Sequence, residues 1–400
     1  MNRDRLCAIQ RALAEDGLDG WLFCDFRGSD PIGRHVLGVG ERLATRRWFY
    51  CVPVDGSPRG LVSAVEPDVL ADVPGSTHIY RTWQELHAGL RTLLRDVRRV
   101  ALQYSPNNDV PYVARVDAGT VELVRQCGVE VVSSADLVQR FEAVWSADQY
   151  ASHTRAARAI RSVVDAAFAE IARRQREPVG CSEGDVQRFI LAQFAAAGLV
   201  THHPPIVAVG AHSADPHYQP PANGGVPIES GDFVLIDLWA KEPDGVYADI
   251  TWTGYVGTAV PERHVAVFDV VRRARDAGVD AARQAVRARR PIRGCDIDAV
   301  VRAIITGAGF GDRFVHRTGH SIGTEVHGNG ANIDGFETPD TRRLLRGTCF
   351  SIEPGIYLPG EFGVRSELDV FVDEADIVVT GEPVQTAVVP ILAAAPGRGN

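Results

Sequence analysis

Two segments that turn back on themselves, each with one acid on either arm, constrain this chain more than anything else in it. Phe233-Val234-Leu235-Ile236-Asp237-Leu238 reads as an apolar strand interrupted by a single carboxylate. Glu242-Pro243-Asp244-Gly245 is a turn signal, and Val246-Tyr247-Ala248-Asp249-Ile250-Thr251 returns as a second strand. A turn centred near Pro243 predicts Asp237 and Asp249 directly opposite one another. Opposed side chains in a ladder lie about 5 Å apart, where two carboxylates repel by about 3 kcal/mol at an effective dielectric of about 20. Asp is also a poor strand former. Keeping both acids requires a proton or a cation between them.

The construction recurs about a hundred residues later. Cys349-Phe350-Ser351-Ile352-Glu353 reads as a strand, Leu358-Pro359-Gly360-Glu361 as a turn, and Val364-Arg365-Ser366-Glu367-Leu368 as the return, with Glu353 and Glu367 symmetric about Gly360. An exposed or arginine-paired acid would account for either hairpin alone, but two facing pairs among apolar neighbours are harder to read as solvated charge. Between the hairpins lies Thr318-Gly319-His320-Ser321-Ile322-Gly323, whose glycines allow close backbone approach around an imidazole. One histidine and four carboxylates make an oxygen-rich ligand set. It suits Mn²⁺, Fe²⁺, Co²⁺ or Zn²⁺ better than a thiolate-seeking ion, and bridging carboxylates suit two ions. The H-E-x-x-H signature and the helical Glu-x-x-His pairs are absent.

The remainder of the chain supplies the setting. At 400 residues two domains are the natural expectation. The net charge of −9 argues against a nucleic-acid partner and gives no reason to expect an anionic membrane. Seven scattered cysteines with no C-x-x-C pair read as reduced thiols. With no signal peptide and no apolar run near 18 residues, they predict a cytoplasmic protein.

Residues 1–145 alternate helix and strand: a helix at 4–16, strands at Trp21–Cys24, Val100–Tyr104 and Val129–Val132, a helix at about 120–127, and a Ser134-capped helix. This is an α/β domain with no phosphate-binding loop, since Gly38-Val39-Gly40 does not complete G-x-G-x-x-G. Residues 146–400 read as α+β, with helices flanking an antiparallel sheet. The first helix opens at a Ser146–Gln149 capping box, the second at Ser182, and two more span about 261–288 and 296–307. Ala393–Asn400 reads as a frayed tail.

Over about 150–392 these strings resemble the pita-bread metallopeptidase family: aminopeptidase P, Xaa-Pro dipeptidase (prolidase), methionine aminopeptidase and the metal-free relative creatinase. The preceding α/β segment is similar to the N-terminal domain of the creatinase, prolidase and aminopeptidase P branch. The resemblance rests on Val234-Leu235-Ile236-Asp237, Asp249-Ile250-Thr251, Gly319-His320-Ser321-Ile322-Gly323, Ser351-Ile352-Glu353-Pro354-Gly355 and Val364-Arg365-Ser366-Glu367. It implies a homodimeric hydrolase of peptide or imide bonds, Xaa-Pro by preference, with two divalent ions, Mn²⁺ first and Co²⁺, Zn²⁺ or Fe²⁺ as alternatives.

In that reading Asp237 chelates one ion, Asp249 and Glu367 bridge both, and His320 and Glu353 complete the second site. A hydroxide held between the ions attacks the scissile carbonyl, with Glu353 as general base. His217 and His327 contact the substrate, Arg365 anchors the ligands, and His202, His203 and His316 are structural. Two departures stand out. Trp252 occupies a position usually held by Arg, and Leu238-Trp239-Ala240 replaces the usual glycine-containing turn. They leave two alternatives: an amidohydrolase of a small non-peptide metabolite, like creatinase or ectoine hydrolase, and a catalytically silent binding protein of the same fold.

Overall fold

The computed structural model describes residues 1–40, 44–221 and 223–393; the tail expected to fray lies, from 394 onward, outside them. The chain divides into two compact units, Met1–Glu142 and Ala143–Asn400.

The first unit runs α1 (Arg3–Glu15), β1 (Gly20–Asp25), α2 (Pro31–Leu37), β2 (Trp48–Pro53), β3 (Arg59–Ser63), β4 (Ser76–Tyr80), α3 (Trp83–Leu93), β5 (Arg99–Leu102), α4 (Ala118–Arg125), β6 (Glu130–Ser133) and α5 (Ala135–Val138). Its six strands form one sheet in the order β4-β3-β2-β1-β5-β6, and β2 alone runs antiparallel to its neighbours. The unbroken apolar run of β1 follows from burial on both faces. Trp21 and Phe23 join the core that includes Ile9 and Leu13 of α1. Leu22 and Cys24 join the core that includes Leu90 of α3 and Val121 of α4. One local expectation is corrected. Ser134 precedes α5 but makes no side-chain cap bond, and its hydroxyl is buried without a partner among the described residues.

The second unit runs α6 (Ala147–Arg174), α7 (Glu183–Ala196), β7 (Ile206–Val209), β8 (Phe233–Ala240), β9 (Ala248–Tyr255), α8 (Glu262–Arg287), α9 (Gly294–Gly307), β10 (Ser321–Ile322), β11 (Cys349–Ile352), β12 (Gly355–Leu358), β13 (Phe362–Arg365), β14 (Leu368–Val372), β15 (Ile377–Thr380) and β16 (Val389–Pro390). The strands form sheets β16-β9-β8-β7, β10-β11-β14-β15 and β12-β13. Pairing is antiparallel except between β16 and β9.

Helix α6 starts at the expected box: the Ser146 side chain accepts from the Gln149 N–H, and the Gln149 side chain accepts from the Ser146 N–H. Its buried stripe, including Ala156, Ile160, Val163, Val164, Ala167 and Ile171, has helical spacing and packs with Val234, Ile236, Leu238, Ile250 and Trp252. Alternation along a strand then puts Leu235, Asp237 and Trp239, with Asp249, Thr251 and Thr253, on the opposite face. The second half repeats the device. Phe350, Ile352, Leu368 and Val370 share a core with Val271 and Ala274 of α8 and Ile297 and Val301 of α9. Their strand neighbours Ser351, Glu367 and Asp369 therefore face the other way. Helix burial on the outside forces the acids inward.

Candidate metal centre

In the first hairpin the ladder pairs Asp237 with Thr251 and Trp239 with Asp249. The expectation that the two aspartates face each other directly is corrected: they are diagonal neighbours. The turn spans Glu242–Gly245, where the Gly245 N–H donates to Glu242 O at 2.9 Å. The ladder centres on Asp244, one residue beyond Pro243. Moving the centre by one residue moves each partner by two, and a shift of two keeps both acids on one face. Both are buried.

The second hairpin keeps its expected symmetry. Gly355 pairs with Arg365 and Ile352 with Leu368, so Glu353 and Glu367 fall opposite one another about Gly360. They lie where the β11–β14 ladder gives way to β12–β13. The Glu353 N–H donates to Thr318 O at 2.8 Å, and the Glu367 N–H donates to Thr251 O at 3.3 Å. The break attaches the glutamates to the histidine segment and to the first hairpin. A further link joins the two acid strands: the Asp249 N–H donates to Asp369 Oδ2 at 2.8 Å.

His320 enters from β10's edge. A Cβ on Gly319 would lie 1.9 Å from Ser351 O, so this glycine is what lets the segment approach β11. The His320 N–H donates to Ser351 Oγ at 3.0 Å, and its Nδ1 lies 3.2 Å from Ser321 O. With Nδ1–H donating to that carbonyl, Nε2 presents a lone pair, the tautomer a metal ligand needs. Nε2 stands 3.4 Å from Glu353 Oε1 and 3.7 Å from Asp249 Oδ2. Burial holds the imidazole pKa well below its usual value, with the neighbouring His327 and Arg317 acting the same way. It is neutral.

Ligand atoms of Asp249, His320 and Glu367 all lie within 4.8 Å of one another. Burial raises the pKa values of Asp249 and Glu367 well above the ordinary carboxylate range, and repulsion from neighbouring acids adds to it. Glu353 is pushed up to about 7, first by burial, while Arg365 opposes the rise. Asp237 sits differently. Its Oδ2 accepts from Arg365 Nη2 at 2.5 Å, but its Oδ1 is buried with no hydrogen-bond partner among the described residues, as is Oδ1 of Asp249. Two orphaned carboxylate oxygens beside a lone-pair imidazole are costly without a cation. The donor set of hard oxygens and one nitrogen fits divalent ions.

Arg365 is buried and makes four side-chain hydrogen bonds among the described residues. Besides Asp237 it donates through Nε to Thr251 Oγ1 at 3.0 Å, and through Nη1 to Tyr357 Oη at 3.0 Å and Pro216 O at 3.2 Å. Thr251 in turn donates to Glu367 Oε2 at 2.7 Å. One guanidinium thus orients acids of both hairpins.

The ring of His327, an exposed residue, packs edge-on to His320 at 4.3 Å between centroids. Its pKa is lowered to about 4 by the protein around the ring and then by Arg317. His217 is exposed; its N–H donates to Asp215 Oδ1 at 3.1 Å. It lies next to Pro216, whose carbonyl Arg365 holds.

His316 has its Nε2 2.7 Å from Tyr357 Oη and a pKa lowered to about 3, by burial first and then by Arg365. Thr251, Ser351, Tyr357 and Asp369 were not singled out from sequence. The signal available for three of them was alternation, since Thr251, Ser351 and Asp369 each lie two residues from an acid on the same face. Trp252 is resolved as a core aromatic: it faces α6, with the Arg161 guanidinium carbon 3.7 Å from its ring centroid. Trp239 lies on the face of the acids and packs against the cluster of Ile206, Ala208 and Leu235.

The family model for metallopeptidase family M24 matches residues 151–374. Among curated proteins, the chain is 38% identical over 162 residues to an Xaa-Pro dipeptidase of Lactobacillus helveticus, covering 40% of each chain. It is 35% identical over 214 residues to a "Probable dipeptidase PepE" of Mycobacterium tuberculosis, covering 53% of each. The matched region thus spans about half or less of these relatives' length. Among solved structures, dipeptidase PepE from Mycobacterium ulcerans is similar over 96% of this chain and 97% of its own, with a TM-score of 0.73 and 26% identity.

Proposed function

Because the chain belongs to metallopeptidase family M24 and has that family's pita-bread fold in its C-terminal unit, we propose that it is a metal-dependent hydrolase of peptide or imide bonds, Xaa-Pro by preference. The observation that carries this reading is the buried convergence of Asp249, His320 and Glu367 beside orphaned carboxylate oxygens. Asp237, Asp249, His320, Glu353 and Glu367 would hold two divalent ions, Mn²⁺ first. When bound, such ions polarise a carbonyl and activate water.

The chain's own groups then have distinct tasks. Glu353, with its Oε1 3.4 Å from His320 Nε2, would take a proton from attacking water and pass it to the leaving nitrogen. His327, neutral at pH 7, donates a hydrogen bond to the substrate carbonyl without adding charge. His217, exposed and next to Pro216, would contact the substrate, as the resemblance implies. Arg365 keeps Asp237 and, through Thr251, Glu367 aimed inward. The seven free cysteines support a reducing, cytoplasmic location. No helix among the described residues is long and apolar enough to cross a membrane. Homodimeric assembly belongs to the same proposal, on the strength of the family resemblance.

A second reading, hydrolysis of a small non-peptide amide, is favoured by Trp239, whose bulk stands on the acid face within the string that replaces the family's glycine-containing turn. One experiment separates the two. The Mn²⁺-loaded protein is incubated with Xaa-Pro dipeptides, Xaa-Pro tripeptides and a panel of small amides, with amine release measured. Turnover of an Xaa-Pro peptide is expected. Turnover confined to small amides would replace the first reading with the second, and none at all with two metals retained would sink both.

A further inference from the structure

The first unit contains a crevice of about 680 Å³ that the proposed chemistry does not use. Cys24 and Phe49, buried in the sheet, line its base. His87 of α3 and Leu123 of α4 flank it, and Arg47 and Arg115 also face it. That volume is ample for a metabolite-sized ligand.

Topology gives the location meaning. From β1 the chain proceeds to β2, on one side of the sheet. From β5 it proceeds to β6, on the other. The neighbouring parallel strands β1 and β5 thus form the point where the strand order reverses. The crevice is lined by residues that end and follow β1 (Cys24, Asp25, Phe26 and Ser29) and by residues between β5 and α4 (Arg115, Val116 and Asp117). In open α/β sheets, ligands bind outside the carboxyl ends of strands at such a switch point, because the diverging loops leave a gap there.

The charges lining the crevice are unequally engaged. Asp25 is consumed by the fold: its carboxylate accepts from Arg34 Nε and Nη2 at 3.1 and 2.8 Å, and from the Asp30 N–H at 3.0 Å. Asp117 is consumed as the cap of α4, accepting from Thr120 N–H at 2.9 Å and Thr120 Oγ1 at 2.7 Å. Glu122 also lines the crevice but is exposed, so solvent screens its charge. Neither Arg47 nor Arg115 has a side-chain hydrogen bond or ion pair among the described residues. Guanidinium groups prefer planar oxyanions, and Phe26, 49% exposed, adds apolar surface at the opening.

We propose that this crevice binds a small organic anion, a carboxylate or a phosphate ester carrying an apolar body, between Arg47 and Arg115 above Phe49. The test is calorimetric titration of the full-length, Mn²⁺-loaded protein with benzoate and with phenyl phosphate, and with benzyl alcohol as the uncharged match. One of the anions is expected to bind saturably and at least tenfold more tightly than the alcohol, and the tighter of the two identifies the ligand's charged group. Arg47→Ala combined with Arg115→Ala should weaken that anion at least tenfold. Leu123→Trp, which fills the crevice without removing charge, should abolish its binding.

Absence of binding by both anions overturns the inference. So does anion binding undiminished in the double variant, which would place the anion elsewhere, the metal centre included. Hydrolytic turnover is not a readout, so the failure of this inference and of the proposed function are separable.

Discussion

The ladder of β8 and β9 runs unbroken through its acids, from Phe233 opposite Tyr255 to Ala240 opposite Ala248. The second hairpin keeps one register on both sides of its acids but leaves the ladder at the acids themselves. The aspartates, with short side chains, sit diagonally on a continuous sheet. The glutamates sit opposite each other at a gap, and their N–H groups are spent on Thr318 and Thr251. A continuous ladder fixes the direction of a side chain rigidly, whereas a gap lets neighbouring segments enter. His320 reaches the site through that second arrangement. The two hairpins are thus a rigid wall and an opening onto the same cluster.

Losing an acid from either hairpin should have the largest effect. Asp249→Asn and Glu367→Gln are each expected to lower kcat of the Mn²⁺-loaded protein on the order of a thousandfold and to reduce bound metal. The double variant should be little worse than either single one, since groups acting as a unit are not additive. Elemental analysis and kinetics check this; independent, multiplying losses would mean that the hairpins serve separate sites.

Next comes the tie between them. Arg365→Lys cannot reach Asp237, Thr251 and Tyr357 together, so metal affinity or turnover should drop about 10- to 100-fold. Unchanged values would show that each hairpin holds its acids unaided.

A smaller effect is expected in stability against pH. Buried His153 has Nδ1 2.7 Å from Tyr247 O, beside the first hairpin's turn, and Nε2 2.7 Å from Thr380 Oγ1 on β15, with Asp369 at 3.9 Å. Burial lowers its pKa from 6.5 to about 4. Because the folded value is depressed, the unfolded chain binds the proton first. The contribution, roughly 3 kcal/mol, is present in full above pH 6.5 and is lost as pH falls towards 4. Urea titrations at stepped pH should show that decline, flattened in His153→Gln. An equal slope in the variant would remove His153 as its source.

The smallest effects compare the two faces of the first hairpin. Trp252→Leu removes a cation–π contact with Arg161 on the helix side and should cost about 1 kcal/mol or more of stability with kcat/KM unchanged. Trp239→Phe, on the acid side, should alter KM for substrate while stability changes comparably little. A reversal of the two outcomes would mean the strand faces have been assigned the wrong way round.

Much of the centre was legible because its signals are local. An acid inside an apolar strand, a Gly-flanked histidine and an arginine two residues before an acid are short strings, and the helical stripes of α6 and α8 follow from spacing. The pairing of Asp237 with Asp249 was misread by one residue of turn. Turn centring depends on which backbone donor closes the loop, here Gly245 to Glu242, and Pro243 at the apex drew attention to the wrong midpoint. Tyr357 and Asp369 escaped notice because their significance depends on partners 8 and 120 residues away in sequence.

By itself the sequence determined that two acid-bearing hairpins and one histidine had to be buried behind amphipathic helices, since strand alternation and helix periodicity leave those polar groups only one face to occupy. Tertiary structure alone decided which oxygen meets which donor: Arg365 on Asp237, Thr251 on Glu367, and Asp249's own N–H on Asp369. Such pairings are set to tenths of an ångström by the packing of distant strands against one another. No periodicity within a single strand carries that information.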